Sequence, residues 1–212
     1  MRKRNYQREL DAIVKDLEQT GQTPRLLLHA CCAPCSSYVL EYLSQYFSIT
    51  VFYYNPNIYP GEEYAHRVAE IRRLINEMRC PHPGSLVEGP YDTERFFETA
   101  KGMEDLPEGG ERCFACYRLR LRQAAALAKE NGFDYFTTTL SISPLKNADK
   151  LNEIGEELAK EYGVRHLPAD FKKREGYKRS IVLSKEYGLY RQDYCGCIFS
   201  QKEAQRRKQA KL

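Results

Sequence analysis

Seven of the chain's eight cysteines stand in three tight groups, Cys31-Cys32-x-x-Cys35, Cys113-x-x-Cys116 and Cys195-x-Cys197. A fold for this sequence has to account for groups set about 80 residues apart along the chain. Each lies beside turn chemistry: Ala33-Pro34 inside the first, Gly109-Gly110 ahead of the second, Gly196 within the third. Loops of that kind let thiolates converge on a metal. The eighth cysteine, Cys80, stands alone and reads as a buried small hydrophobe.

The first ten residues are basic but lack a following apolar segment and a small-residue cleavage site, so they do not read as a secretory signal. The cytoplasm is the expected compartment. Thiols are kept reduced there, which favours metal ligation or redox chemistry over a disulfide framework. Spacing does not choose the metal, because zinc and iron–sulfur clusters both take thiolates from CxxC pairs. A thiol–disulfide pair of Cys32 and Cys35 at a helix N-terminus is a further reading, but it leaves Cys113, Cys116, Cys195 and Cys197 without a role.

The elements around these groups alternate. Tyr6, Leu10, Ile13, Val14 and Leu17 form one helical stripe closed by Gly21 and Pro24. An apolar run, residues 25–30, reads as a strand buried on both faces, with the first cysteines directly after it. The pattern predicts a helix over 36–46, a strand over 49–54, a helix over 62–78, a strand over 85–88 and a helix over 93–101. A Gly- and acid-rich loop, 102–111, leads to a long helix over 117–129. Then come a strand over 134–140, a helix over 147–162 and a strand over 164–167. This is the order of an α/β, doubly wound parallel sheet, in which ligands bind at the carboxyl ends of the strands. At 212 residues the chain fits one domain, 1–212, with a leading helix in 1–20 and a basic C-terminal helical extension in 171–212. No apolar run reaches the 18 or so residues that a membrane span needs, so no membrane partner is expected.

Five segments taken in order resemble the QueH-type epoxyqueuosine reductases, which complete queuosine formation in tRNA. They are residues 29–34 (His-Ala-Cys-Cys-Ala-Pro), 52–58 (Phe-Tyr-Tyr-Asn-Pro-Asn-Ile), 112–116 (Arg-Cys-Phe-Ala-Cys), 137–147 (Thr-Thr-Thr-Leu-Ser-Ile-Ser-Pro-Leu-Lys-Asn) and 190–197 (Tyr-Arg-Gln-Asp-Tyr-Cys-Gly-Cys). The resemblance implies a fold similar to the adenine nucleotide α-hydrolase type, a 4Fe-4S cluster and an additional mononuclear iron held by two cysteines and an aspartate. In the family pattern an aspartate can follow Cys-Cys-Ala-Pro, where this chain has Cys35, which opens an all-sulfur iron site. Seven clustered cysteines divide arithmetically into four for a cluster and three for a single metal; spacing does not say which serves which. The glycine- and serine-rich phosphate loop of ATP-using relatives of that fold is replaced here by residues 31–35, so ATP hydrolysis is not expected.

The implied reaction removes an epoxide oxygen and leaves an alkene, with electrons from an external one-electron donor. The metal ligands are expected to be Cys31, Cys32, Cys35, Cys113, Cys116, Cys195 and Cys197, with the reactive centre at Cys31, Cys32 and Cys35. Tyr54 at the end of a predicted strand, with Asn55, Asn57, Ser143, Lys146 and Asn147 after predicted strands, are the candidate contacts for the modified nucleoside. Net charge is only +4, but Lys172, Lys173, Arg174, Lys178 and Arg179 form a basic stretch, extended by Lys202, Arg206, Arg207, Lys208 and Lys211, that suits tRNA phosphates. The rival reading is a zinc-stabilised RNA-binding module without catalysis.

Overall fold

The computed structural model describes residues 4–82 and 84–210; residues 1–3 of the expected leading segment and Lys211 lie outside them. The first helix, α1 (Tyr6–Thr20), starts where the Asn5 side chain accepts the Arg8 N–H at 3.2 Å, and stops at Gly21, whose φ of 65° belongs to the left-handed region. After it run β1 (Arg25–His29), α2 (Ala33–Leu43), β2 (Ser48–Tyr53), α3 (Gly61–Glu77), β3 (Ser85–Glu88) and α4 (Thr93–Ala100). The chain continues as α5 (Glu111–Glu130), β4 (Tyr135–Thr138), a 3-10 turn (Thr139–Ile142), α6 (Ala148–Tyr162), β5 (Arg165–His166), α7 (Gly176–Glu186) and α8 (Ile198–Gln209).

The five strands form one all-parallel sheet in the order β3-β2-β1-β4-β5. Successive side chains of a strand point to opposite faces, and here both faces are covered. Leu26, Leu28, Val51 and Tyr53 pack with Leu10 and Val14 of α1, Val39 and Leu43 of α2, and Ile71 and Leu74 of α3. Leu27, Phe52, Tyr54 and Phe136 pack with Tyr117, Leu121 and Ala124 of α5 and Leu151, Ile154 and Leu158 of α6. Leu26, Leu27 and Leu28 are all fully buried, each contributing about 1.5–3 kcal/mol. Truncating any of them to Ala would cost about 2–5 kcal/mol.

Strand order reverses between β1 and β4, whose paired ends are His29 and Thr138. That places the crevice of a doubly wound sheet beside the first cysteine group. The expected strand over 134–140 ends at Thr138, because the Thr138 hydroxyl accepts the Leu140 N–H at 3.1 Å and folds the chain into the 3-10 turn. Two helices start earlier than expected. The one predicted from 36 begins at Ala33, since Pro34 suits the first turn, where its missing N–H goes unused. The one predicted from 117 begins at Glu111, so Cys113 and Cys116 stand on a helix rather than on a loop. Three residues apart, they share one face.

The basic C-terminal part is integrated into the core. Helix α7 packs against α2, and the flanking Phe171 and Leu189 join the same apolar cluster as β1. Among the described residues no helix is long and apolar enough to cross a membrane.

Candidate metal centre

Helix α2 follows β1 with so little intervening chain that Cys31, Cys32 and Cys35 are folded over one point. Cys32 is the residue that caps α2, and its backbone carbonyl accepts the Ser36 hydroxyl at 2.8 Å. The Cys31 and Cys32 sulfurs stand 3.8 Å apart, and all three sulfurs lie within 4.8 Å of one another. The Cys31 sulfur also meets the Thr139 hydroxyl at 3.6 Å, which ties the group to the turn after β4. The neighbouring Cys32 and Cys35 thiols hold the Cys31 pKa well below the usual thiol range, aided by the nearby Arg120 guanidinium. Cys31 in turn pushes Cys32 up to about 12, and Cys35 rises as well.

The other four clustered cysteines come from two distant parts of the chain. Cys113 and Cys116 are on the first turns of α5; Cys195 and Cys197 are on the loop that enters α8. That loop is held from three sides. The Tyr59 N–H donates to the Gly196 carbonyl at 2.9 Å, Arg67 donates to the Cys195 carbonyl at 3.1 Å, and the Ser200 N–H reaches the Cys197 sulfur at 3.4 Å. Gly196 has a φ of 110°, and a Cβ there would stand 2.8 Å from Arg67 Nη1, so only glycine fits between the two cysteines. The neighbouring Cys197 thiol, with Lys146 and Arg120, pulls the Cys195 pKa well down. Burial pushes Cys116 up to about 11 and raises Cys113 too.

Each group faces its own cavity. One, of about 320 Å³, is lined by Cys31, Cys32, Cys35, Arg67, Tyr177 and Arg191 among others. A smaller one is lined by Cys113, Cys116, Cys195, Cys197, Asn57 and Tyr117 among others. Cys195, Lys146 and Glu108 line both, so they form the wall between them. Lys146 and Glu108 are paired at 2.8 Å and nearly buried. Burial opposes the lysine charge, but Cys195, Tyr117 and Glu108 outweigh it and raise its pKa. The loop that carries Glu108 is fixed by buried Arg112, which donates to the carbonyls of Met103, Glu104 and Leu106.

The donor sets fit metals of two kinds. A tetrahedral thiolate site with bonds of about 2.3 Å has sulfurs about 3.8 Å apart, the separation of Cys31 and Cys32. The first group is therefore the size of a single ion's ligand set. Four thiols around one cavity match the ligand count of a 4Fe-4S cluster, whose terminal sulfurs each sit on a different iron. In that second cavity Asn57 Oδ1 and the Tyr117 hydroxyl are buried without a hydrogen-bond partner.

The candidate contacts for the nucleoside separate. Ser143 and Lys146 line the larger cavity with the first three cysteines. Asn57 belongs to the smaller one. Tyr54 and Asn55 are fully buried behind the site: the Tyr54 ring stacks on Phe52, and the Asn55 amide donates to the Ala30 carbonyl at 2.9 Å. Asn147 is exposed, and its side-chain oxygen caps α6 by accepting the Lys150 N–H at 3.0 Å. Of the basic stretch, Lys173 is exposed, whereas Lys172, Arg174, Lys178 and Arg179 are paired with Asp170, Asp11, Glu175 and Glu41.

Two arginines at the site were not singled out from the sequence. Arg67 is 2% exposed and Arg120 is 1% exposed. Their signal was positional. Arg120 lies four residues after Cys116, on the stripe that continues to Leu121 and Ala124, and Arg67 lies four before Ile71, so each puts a charge on an apolar helix face.

The family model for epoxyqueuosine reductase QueH matches residues 26–203. Epoxyqueuosine reductase QueH of Staphylococcus epidermidis is 42% identical over 200 residues, covering 92% of this chain and 84% of the relative. That of Streptococcus pyogenes serotype M1 is 41% identical over 200 residues, covering 93% and 78%. That of Thermotoga maritima is 36% identical over 181 residues, covering 82% and 89%.

Proposed function

Since the chain belongs to the epoxyqueuosine reductase QueH family and is an oxidoreductase, we propose that it reduces epoxyqueuosine in tRNA to queuosine with iron held by its seven clustered cysteines. The reaction takes up two electrons and two protons, breaks both C–O bonds of the epoxide, forms a carbon–carbon double bond and releases water. Cys31, Cys32 and Cys35 would hold a single iron, and Cys113, Cys116, Cys195 and Cys197 a 4Fe-4S cluster. When bound, these groups supply one-electron transfer and Lewis acidity toward a developing alkoxide, neither of which amino-acid side chains provide.

The observation that carries this reading is the division of seven cysteines into a group of three and a group of four, on adjoining cavities that share Cys195 as a wall. The larger cavity takes the modified cyclopentane ring over Cys31, Cys32 and Cys35, with Ser143 and Lys146 beside it. Tyr177 and Tyr194 at its edge offer ring faces to a nucleobase drawn out of the anticodon loop. Lys173, together with Lys202, Arg206 and Arg207, all exposed, meets tRNA phosphates. The electrons would come from an external one-electron donor, and the cytoplasm, where tRNA is found, would be the compartment.

Anaerobically isolated protein is the material for the test. Iron and sulfide should be present with broad absorption near 400 nm, and dithionite should drive conversion of epoxyqueuosine to queuosine in tRNA, read by nucleoside mass spectrometry. Stoichiometric zinc and no conversion after iron–sulfur reconstitution would sink the reading and leave a zinc-stabilised RNA-binding module.

A further inference from the structure

Arg120 heads the large fully buried side chains among the described residues, and the proposed reaction gives it no task. It leaves α5 one turn beyond Cys116 and lines the smaller cavity with all four cysteines of that group. Its guanidinium is aimed by His29 at the end of β1 and by Asn55 just beyond β2. Nε stands 3.3 Å from His29 Nε2, and Nη2 donates to the Asn55 side-chain oxygen. Asn55 is itself anchored on the Ala30 carbonyl at 2.9 Å, and His29 on the Thr138 hydroxyl at 2.8 Å. An imidazole and an amide carry no negative charge, so neither residue compensates the arginine. Among the described residues no carboxylate bonds to Arg120; the groups that face it are the thiols of Cys116, Cys195 and Cys31.

A buried charge without a counter-ion is costly, and Arg does not escape by losing its proton. We propose that Arg120 is a positioning residue that serves as the built-in counter-ion of the four-cysteine centre and sets its reduction potential. The inference rests on the reading of Cys113, Cys116, Cys195 and Cys197 as cluster ligands. Reducing a thiolate-bound cluster adds negative charge, which a fixed guanidinium in a low-dielectric cavity favours, as charge and hydrogen bonding near the sulfurs are established controls of such potentials. Arg120 also acts electrostatically on Cys31, so both groups feel one cation.

The test is the midpoint potential of the cluster in the iron-loaded protein, by spectroelectrochemical titration, for wild type, Arg120→Gln, Arg120→Lys and Asn55→Asp. Arg120→Gln removes the charge and is expected to shift the potential to more negative values. Arg120→Lys keeps the charge and should stay closer to wild type. Asn55→Asp leaves the arginine in place but neutralises it with a carboxylate, so it should shift in the same direction as Arg120→Gln and covers the case in which that variant does not fold. Equal potentials in wild type, Arg120→Gln and Asn55→Asp would overturn the proposal, as would equal loss of iron and sulfide from the glutamine and lysine variants. Wild-type protein without iron and sulfide would instead remove the reading on which the inference rests.

Discussion

The two cysteine groups were assembled in opposite ways. Cys31, Cys32 and Cys35 converge because a strand end and a helix start are joined within five residues, so local geometry places the three sulfurs within 4.8 Å. Cys113 and Cys116 meet Cys195 and Cys197 only because α5 crosses the sheet and the loop before α8 is pinned on Arg67, Tyr59 and Ser200. A locally built site survives a good deal of distant change, whereas one built from remote segments inherits every weakness of the packing between them.

Substituting each group in turn puts that contrast to its strongest test. Cys116→Ser is expected to abolish sulfide binding and lower reductase turnover by well over about 100-fold, more than a supporting residue around a metal costs. Iron analysis should still find the share held by Cys31, Cys32 and Cys35. In the reverse experiment, Cys35→Ser should lose that single iron and most turnover while sulfide content and cluster absorbance remain near wild type. If either variant empties both centres, the two groups are one site and the contrast fails.

A somewhat smaller effect separates metal loss from general acid unfolding. The His166 ring packs directly over Gly155, with Nδ1 buried and unpartnered, and burial holds its pKa down to about 3 from the ordinary 6.5. The unfolded chain takes up a proton below pH 6.5 and the folded one does not until about pH 3, so stability is present above pH 6.5 and is lost as pH falls through that window. The slope is about 1.4 kcal/mol per pH unit. In urea unfolding across that range, wild type should lose stability more steeply than His166→Leu by about this amount, while both release iron alike.

The smallest effect belongs to the surface. Lys178 and Glu175 are both largely exposed, so Lys178→Ala should change stability by less than about 0.5 kcal/mol. Lys173→Ala should weaken tRNA binding a few-fold and lower the salt slope by about one unit, in filter binding from low to moderate salt. A Lys178→Ala loss as large as that of Lys173→Ala would show that its ion pair opens on the RNA.

Sequence pattern alone was sufficient for the alternating elements, the parallel sheet and the first cysteine group, because each depends on the order of residues within about ten positions. The five motifs in order were likewise sufficient for the family. Contacts across long separations were not legible. Nothing in the spacing said that Asn55 would be consumed in holding Arg120, that Asn147 would cap α6, or that Lys172, Arg174 and Arg179 would be paired with acids. The second group's helical start was hidden as well, since the glycines at 109 and 110 read as a loop while Gly110 in fact caps α5. The sequence by itself thus determined the fold class, the family and the supply of thiolates. The tertiary structure decided how those thiolates divide and which charges stay with them, because burial and pairing are set by whichever distant segment packs alongside, and periodicity carries no record of that partner.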